Sequence, residues 1–241
     1  MAGLLGACDA DVPSTNIESN SSVQAPPLVT PTESINSAAS VAPIAPVVAT
    51  EPGWVDDQRI INLPISEPGS WPTYGQTYKE QRFSELTQIT PENIDELGLA
   101  WSRQIGDYNM RMQGTPLVVD GVMYVTNGWS VVYALDATTG EEIWHYDPEV
   151  DRSYIRLACC GPAHNRGAAV YKGKVYVGTF DGRLVAIDAT TGEEVWDVDT
   201  WIPEGLGRFN ITGAPRAAAG KVYIGQGSSE SGHRRGYVTA Y

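Results

Sequence analysis

Along its length the chain divides into two unlike parts. From about residue 66 onward, short apolar runs alternate with glycine-bearing turn pairs. Pro116-Leu117-Val118-Val119 and Val122-Met123-Tyr124-Val125 flank Asp120-Gly121, which predicts two antiparallel strands joined by a two-residue turn. The pattern returns from Tyr171 to Val177 around Lys172-Gly173, and from Ala217 to Ile224 around Gly220. Asp181-Gly182 and Asp136 to Gly140 supply further turns. Residues 9–65, by contrast, are Ser, Thr, Pro, Ala and Val with little periodicity. Such a composition buries too little apolar surface to fold and predicts a disordered linker.

The turns belong to a repeat. Ala134-Leu135-Asp136-Ala137-Thr138-Thr139-Gly140-Glu141-Glu142-Ile143-Trp144 recurs as Ala186-Ile187-Asp188-Ala189-Thr190-Thr191-Gly192-Glu193-Glu194-Val195-Trp196, with nine of eleven positions identical at an offset of 52. Val238-Thr239-Ala240-Tyr241 opens a third copy, read here as interrupted before its aspartate, and Leu99-Ala100-Trp101 closes an earlier unit. Self-similarity at this period marks propellers and related arrays. Four short strands per unit make a blade, whose radial packing leaves only short edges. Residues 66–241 are therefore predicted to form an all-β, incomplete β-propeller of about three to four blades. Trp144 and Trp196 are expected to pack between blades, and the Asp, Thr and Gly of the repeat to be turn residues.

Composition narrows the partners. The 241 residues carry 16 Lys and Arg against 29 Asp and Glu, a formal net charge of −13 with no basic cluster. A phosphate-binding surface needs clustered cations, so nucleic acid is excluded. No run of 18 apolar residues offers a transmembrane helix. Three cysteines are present: Cys8, Cys159 and Cys160. Leu5-Gly6-Ala7-Cys8 resembles a bacterial lipobox, which assigns residues 1–8 to a lipoprotein signal and Cys8 to lipidation, although the lead-in lacks a basic segment. Asp9 behind it would favour the inner membrane, placing the protein in the periplasm. The alternative is a disordered leader with a stray cysteine.

Four segments outside the repeat together resemble one family, the pyrroloquinoline quinone (PQQ)-dependent methanol and ethanol dehydrogenases. They are Trp71-Pro72-Thr73-Tyr74-Gly75 through Arg82-Phe83-Ser84 to Asn93 and Leu97-Gly98-Leu99-Ala100-Trp101; Cys159-Cys160 with Asn165-Arg166-Gly167; Ile211-Thr212-Gly213-Ala214-Pro215; and Gly225-Gln226-Gly227-Ser228-Ser229-Glu230. The resemblance covers about residues 68–241 and implies an eight-bladed quinoprotein propeller.

It also implies a set of cofactor contacts. Cys159 and Cys160 would form an adjacent disulfide lying against one face of PQQ. Neighbouring α-carbons sit about 3.8 Å apart, below the roughly 4.4–6.8 Å of ordinary disulfides, so the ring would be strained and rigid. A pair of buried free cysteines is the alternative. Arg166 would pair with cofactor carboxylates through its guanidinium fork, the alternative being a surface ion pair. Thr212 would hydrogen-bond the cofactor, and Ser228 and Ser229, where the family has Gly and Ala, would let the ring approach the backbone. Glu230 would ligate calcium, which takes hard anionic oxygens; the alternative is a plain surface acid. The loop behind it, Ser231 to Gly236, is one residue longer than the family's usual form. Gln113 stands where the family usually has a glutamate touching a PQQ carboxyl; its amide can still donate.

The implied reaction is oxidation of a primary alcohol to an aldehyde, with PQQ as hydride acceptor and calcium, or a lanthanide, as Lewis acid. The electron acceptor would be a cytochrome c or a quinone. The aspartate base belongs to later blades of the family, so no catalytic base is assigned and the chain is expected to be inactive by itself. Two other classes share the repeat: a non-catalytic propeller lipoprotein scaffolding outer-membrane assembly, and a sensor or interaction module. The scaffold has no use for the Cys-Cys, Asn-Arg-Gly and Gly-Ser-Ser-Glu segments.

Overall fold

The computed structural model describes residues 52–106, 111–157, 163–201, 210–227 and 236–241. In chain order these contain helix α1 (Asp57–Ser66) and strands β1 (Arg111–Met112), β2 (Leu117–Val119), β3 (Val122–Thr126), β4 (Val132–Asp136), β5 (Glu142–Tyr146), β6 (His164–Asn165), β7 (Ala169–Tyr171), β8 (Lys174–Gly178), β9 (Arg183–Asp188), β10 (Glu194–Asp199), β11 (Arg216–Ala218), β12 (Lys221–Gln226) and β13 (Tyr237–Ala240).

The strands form two four-stranded antiparallel sheets, β2-β3-β4-β5 and β7-β8-β9-β10, and a three-stranded sheet, β11-β12-β13. Each sheet is a meander in sequence order, as a propeller blade requires. The blades open with the same hairpin. Asp120-Gly121, Lys172-Gly173 and Ala219-Gly220 all have positive φ at both positions, the type I′ geometry whose twist matches the flanking strands. A parallel pair, β1 with β6, ties the segment before β2 to the segment before β7 through Arg111 opposite His164 and Met112 opposite Asn165.

Successive blades stack through the repeat. The Asp136 and Asp188 carboxylates each accept two backbone N–H bonds, from Thr138 and Thr139 and from Thr190 and Thr191. Those amides hold both carboxyls below the usual aspartate range. The turns so formed end in Gly140 and Gly192, where the chain meets a tryptophan of the preceding unit. The Trp101 indole donates to Ala137 O at 3.1 Å and that of Trp144 to Ala189 O at 3.2 Å. A Cβ on Gly140 or Gly192 would lie 2.4 or 2.7 Å from the corresponding ring. Trp101 takes this docking position without being part of a strand.

Apolar side chains fill the spaces between blades. Tyr124, Val132, Ala134 and Trp144 of the first blade pack on Val170, Val175, Val177, Val185 and Ile187 of the second. Tyr171, Tyr176, Leu184 and Ala186 pack on Ile211, Val222 and Ile224 of the third. Burying a side chain of this size contributes about 1.5–3 kcal/mol.

The composition of 9–65 predicts no folded structure, and its last part departs from that expectation. Residues 57–66 are helical, and Val55, Ile60 and Leu63 are buried. Asp56 caps the helix by accepting from the Arg59 N–H. The segment bonds to all three hairpin turns: Gly53 N–H donates to Asp120 Oδ2, Lys172 N–H to Val55 O, and Ala219 N–H to Asp57 Oδ1. Arg59, 6% exposed, bridges Glu67 at 2.7 Å and Asp120 at 2.5 Å, which raises its already high pKa. Asp57 also accepts from the hydroxyls of Tyr78 and Tyr171, bonds that lower its pKa. A few apolar anchors and paired charges are enough to order a stretch whose average composition suggests a linker.

Candidate functional site

At the opposite ends of β2, β7 and β11 from those turns, three short segments lead into the blades. Each carries a polar residue followed by glycine: Gln113-Gly114, Arg166-Gly167 and Thr212-Gly213. They are laced together through the backbone. Gln113 N–H donates to Asn165 O at 3.3 Å, and Arg166 N–H donates to Thr212 O at 3.0 Å. Glycine suits this approach, because a Cβ on Gly114 would lie 3.1 Å from the Gly167 α-carbon and the facing backbone would have to give by a few tenths of an ångström. Gly167 itself sits at φ 120°, where a side chain would be strained.

The three polar side chains emerge on one rim. Arg166 and Gln113 are exposed and Thr212 is half-buried. The Arg166 guanidinium donates through Nη1 to Thr212 Oγ1. Among the described residues its other N–H groups meet no acceptor and no carboxylate pairs with it. The Gln113 side-chain amide likewise has no partner among the described residues. Around Gly213 there is open space, nothing lying within 4 Å of a Cβ built there. A cation with free donors, an amide and a glycine-lined approach suit a flat ligand bearing carboxylates. PQQ is such a ligand, and this part of the site fits it.

Beneath the rim lies a polar and aromatic floor. Asn165 is fully buried and makes four side-chain hydrogen bonds. Beside it Phe180 stacks edge-on with Trp129 at 5.8 Å and with His164 at 6.3 Å, and the Arg152 guanidinium caps the Trp129 ring at 4.2 Å. Ala163 is wedged here, its carbonyl so close to Gly128 that a Cβ there would sit 2.2 Å away. The Arg82 side chain reaches the rim from the segment before the blades, donating to Thr115 Oγ1 at 3.2 Å.

The segments that carry Gln113, Arg166 and Thr212 are thus adjacent, joined by backbone bonds and by the Arg166–Thr212 contact. Cys8, Cys159, Cys160, Ser228, Ser229 and Glu230 lie outside the described residues. Among those that are described, no group of three or more His, Cys, Asp or Glu side chains gathers as a metal cluster would. Reading the sequence assigned no part to the side chains of Thr126, Ser130 and Asn165; Asn165 was visible only as a member of the Asn-Arg-Gly run.

Fold and rim together define an incomplete β-propeller with a carboxylate-ready edge where its innermost strands begin. Residues 71–221 match the family described as PQQ: Glucose/ethanol/alcohol dehydrogenase, beta-propeller domain. A quinohemoprotein alcohol dehydrogenase, ADH-IIG, of Pseudomonas putida is 53% identical over 202 residues, 84% of this chain and 27% of that protein. The dehydrogenase subunit of the quinone alcohol dehydrogenase of Komagataeibacter europaeus is 53% identical over 178 residues, 72% of this chain and 24% of that protein. Among solved structures, the Pseudomonas putida ADHIIG enzyme superposes with a TM-score of 0.74 at 55% identity, over 79% of this chain and 27% of that one. The quinohemoprotein alcohol dehydrogenase of Comamonas testosteroni gives 0.70 at 49% identity, over 78% and 28%. A europium-containing methanol dehydrogenase gives 0.62 at 36% identity, over 76% and 31%. The chain belongs to the PQQ-dependent alcohol dehydrogenase propeller family. It spans about a quarter of the length of the curated relatives it matches.

Proposed function

We propose that this chain contributes one sector of the cofactor pocket of a PQQ-dependent oxidoreductase that converts primary alcohols to aldehydes. The observation that carries the reading is the Arg166 guanidinium, held by Thr212 while its remaining donors meet no acceptor among the described residues, in a chain whose family binds PQQ. When bound, PQQ with its metal supplies the electrophilic quinone that takes a hydride from the alcohol.

The residues of this chain bind and orient. Arg166 neutralises a carboxylate, Gln113 donates to another, and Thr212 keeps the guanidinium turned toward the rim. Cys159 and Cys160, joined as an adjacent disulfide, offer a flat apolar face to the ring. Ser228 and Ser229 let the ring approach the backbone, and Glu230 supplies an anionic oxygen to calcium or a lanthanide. Proton removal from the alcohol is assigned to no residue of this chain. Export to the periplasm with a lipid on Cys8, and electron delivery to a cytochrome c or a quinone, complete the proposal.

Titrating PQQ with calcium into the 241-residue chain while following tryptophan fluorescence tests it. Saturable one-to-one quenching is expected, and absence of binding at millimolar PQQ would remove the reading. In parallel, the peptide holding Cys159 and Cys160 should gain about two hydrogens in mass on reduction. Two thiols already free in protein from an oxidising compartment would discard the disulfide.

A further inference from the structure

We infer that Asn165 is the positioning residue of this rim: its one buried side-chain amide fixes the stretch of backbone from which Arg166 reaches out. The inference rests on the reading that the rim holds PQQ. Asn165 ends β6 and has none of its surface exposed. Its Oδ1 accepts from Thr126 Oγ1 at 2.9 Å and from Gly167 N–H at 2.8 Å. Its Nδ2 donates to Ser130 Oγ at 3.2 Å and to Gly178 O at 2.9 Å. A side-chain amide has two donors and two acceptor sites, and here all four are used.

These partners fix one orientation. Exchanging Oδ1 and Nδ2 would set the NH2 against the Gly167 N–H and the oxygen against the Gly178 carbonyl, two repulsive pairs. Asn165 is therefore clamped between the first blade, through Thr126 and Ser130, and the second, through Gly178. Its Oδ1 pins Gly167, and Arg166 is the single residue between the two pinned points. The Arg166 side chain is exposed and its only described side-chain partner is Thr212, so holding the backbone on both sides of Arg166 holds the point from which the guanidinium reaches Thr212. The Asn165 main-chain carbonyl also accepts the Gln113 N–H, a backbone bond that any residue at this position would keep and that the side-chain test leaves in place. No other side chain of this size meets the four demands: aspartate cannot donate to the Gly178 carbonyl, and leucine leaves every partner unpaired in a buried place.

The test is a double-mutant cycle on PQQ affinity in the 241-residue chain, read by fluorescence. Arg166→Gln alone should weaken binding by about tenfold or more. Asn165→Ala alone should weaken it by about tenfold, and Asn165→Asp, which keeps the acceptor for Gly167, should recover part of that loss. In the Arg166→Gln background, Asn165→Ala should add less than about a twofold loss, because the residue it positions is gone. A purely structural asparagine would lower affinity by the same factor in both backgrounds, and that outcome overturns the inference. Hydrogen exchange gives a readout without PQQ: the Gly167 amide should exchange faster in Asn165→Ala and unchanged in Arg166→Gln. If Asn165→Ala does not fold, Thr126→Val removes one donor to the same oxygen at nearly constant volume and should give the same non-additivity in smaller measure. Binding that Arg166→Gln weakens and the Asn165 and Thr126 variants leave alone sinks the inference only. No binding, or none sensitive to Arg166, sinks the cofactor reading as well.

Discussion

The two ends of the blades are built on opposite plans. At the turn end, the segment from Gly53 to Glu67 bonds to all three hairpins, and its charges are matched: Arg59 to Glu67 and Asp120, Asp57 to two tyrosine hydroxyls and a backbone amide. At the rim end, Arg166 and Gln113 stand exposed, with donors unspent among the described residues. A paired charge stabilises and does little else, whereas an unpaired one is available to a ligand. On the proposed reading, stability and cofactor binding fall at opposite ends of the same short strands, with the buried network of Asn165 between them.

That division can be broken experimentally. The largest effect is expected from Arg59→Met, which strands Asp120 and Glu67 beside a buried site and should cost about 3 kcal/mol of unfolding free energy. Denaturant unfolding reads it, and PQQ affinity of the folded fraction should be unchanged. Gly192→Ala comes next, since the new Cβ meets the Trp144 ring at 2.7 Å and the residue sits at φ 77°. A loss of about 2 kcal/mol is expected, again without change at the rim. Arg166→Gln reverses the pattern: unfolding should shift by less than about 0.5 kcal/mol while PQQ affinity falls by about tenfold. A large unfolding change there would show that the rim is structural and dissolve the contrast.

The smallest effect is the acid limb of stability. Hydrogen bonds from Tyr78 and Tyr171 hold Asp57 below the usual aspartate pKa, and backbone amides do the same for Asp136 and Asp188. A depressed carboxyl contributes stability above its unfolded pKa and loses it as pH falls through the folded one. Melting temperature should therefore hold from pH 6 to about 4 and decline below. Asp57→Asn should start lower and decline less steeply; an unaltered slope would show that this clamp does not govern the turn end.

Much of this was legible beforehand, and the reasons are local. A type I′ turn needs two residues tolerant of positive φ, and Asp120-Gly121 and Lys172-Gly173 announce it. The Asp-x-Thr-Thr-Gly turn is made by an aspartate reaching its own next amides, so its recurrence displays the blade period. Arg166 could be named as a candidate because the segments around it resemble a family. The folding of 57–66 was hidden, because Arg59 becomes tolerable only beside Glu67 and Asp120, the latter 61 residues away.

The clearest boundary between the two kinds of information is a motif that occurs twice. Lys174-Val175-Tyr176-Val177-Gly178 and Lys221-Val222-Tyr223-Ile224-Gly225 are nearly the same sequence and the same second strand of a blade. Tyr176 is 8% exposed and Gly178 lies under Ile211, whereas Tyr223 is 36% exposed and nothing meets a Cβ on Gly225. By itself the sequence determined strand, turn and alternation, since these depend on φ, ψ and neighbours a few residues apart. Only the tertiary structure decided which copy is covered, which charges are paired and where Asn165 points, because each depends on groups that meet across blades and are distant along the chain.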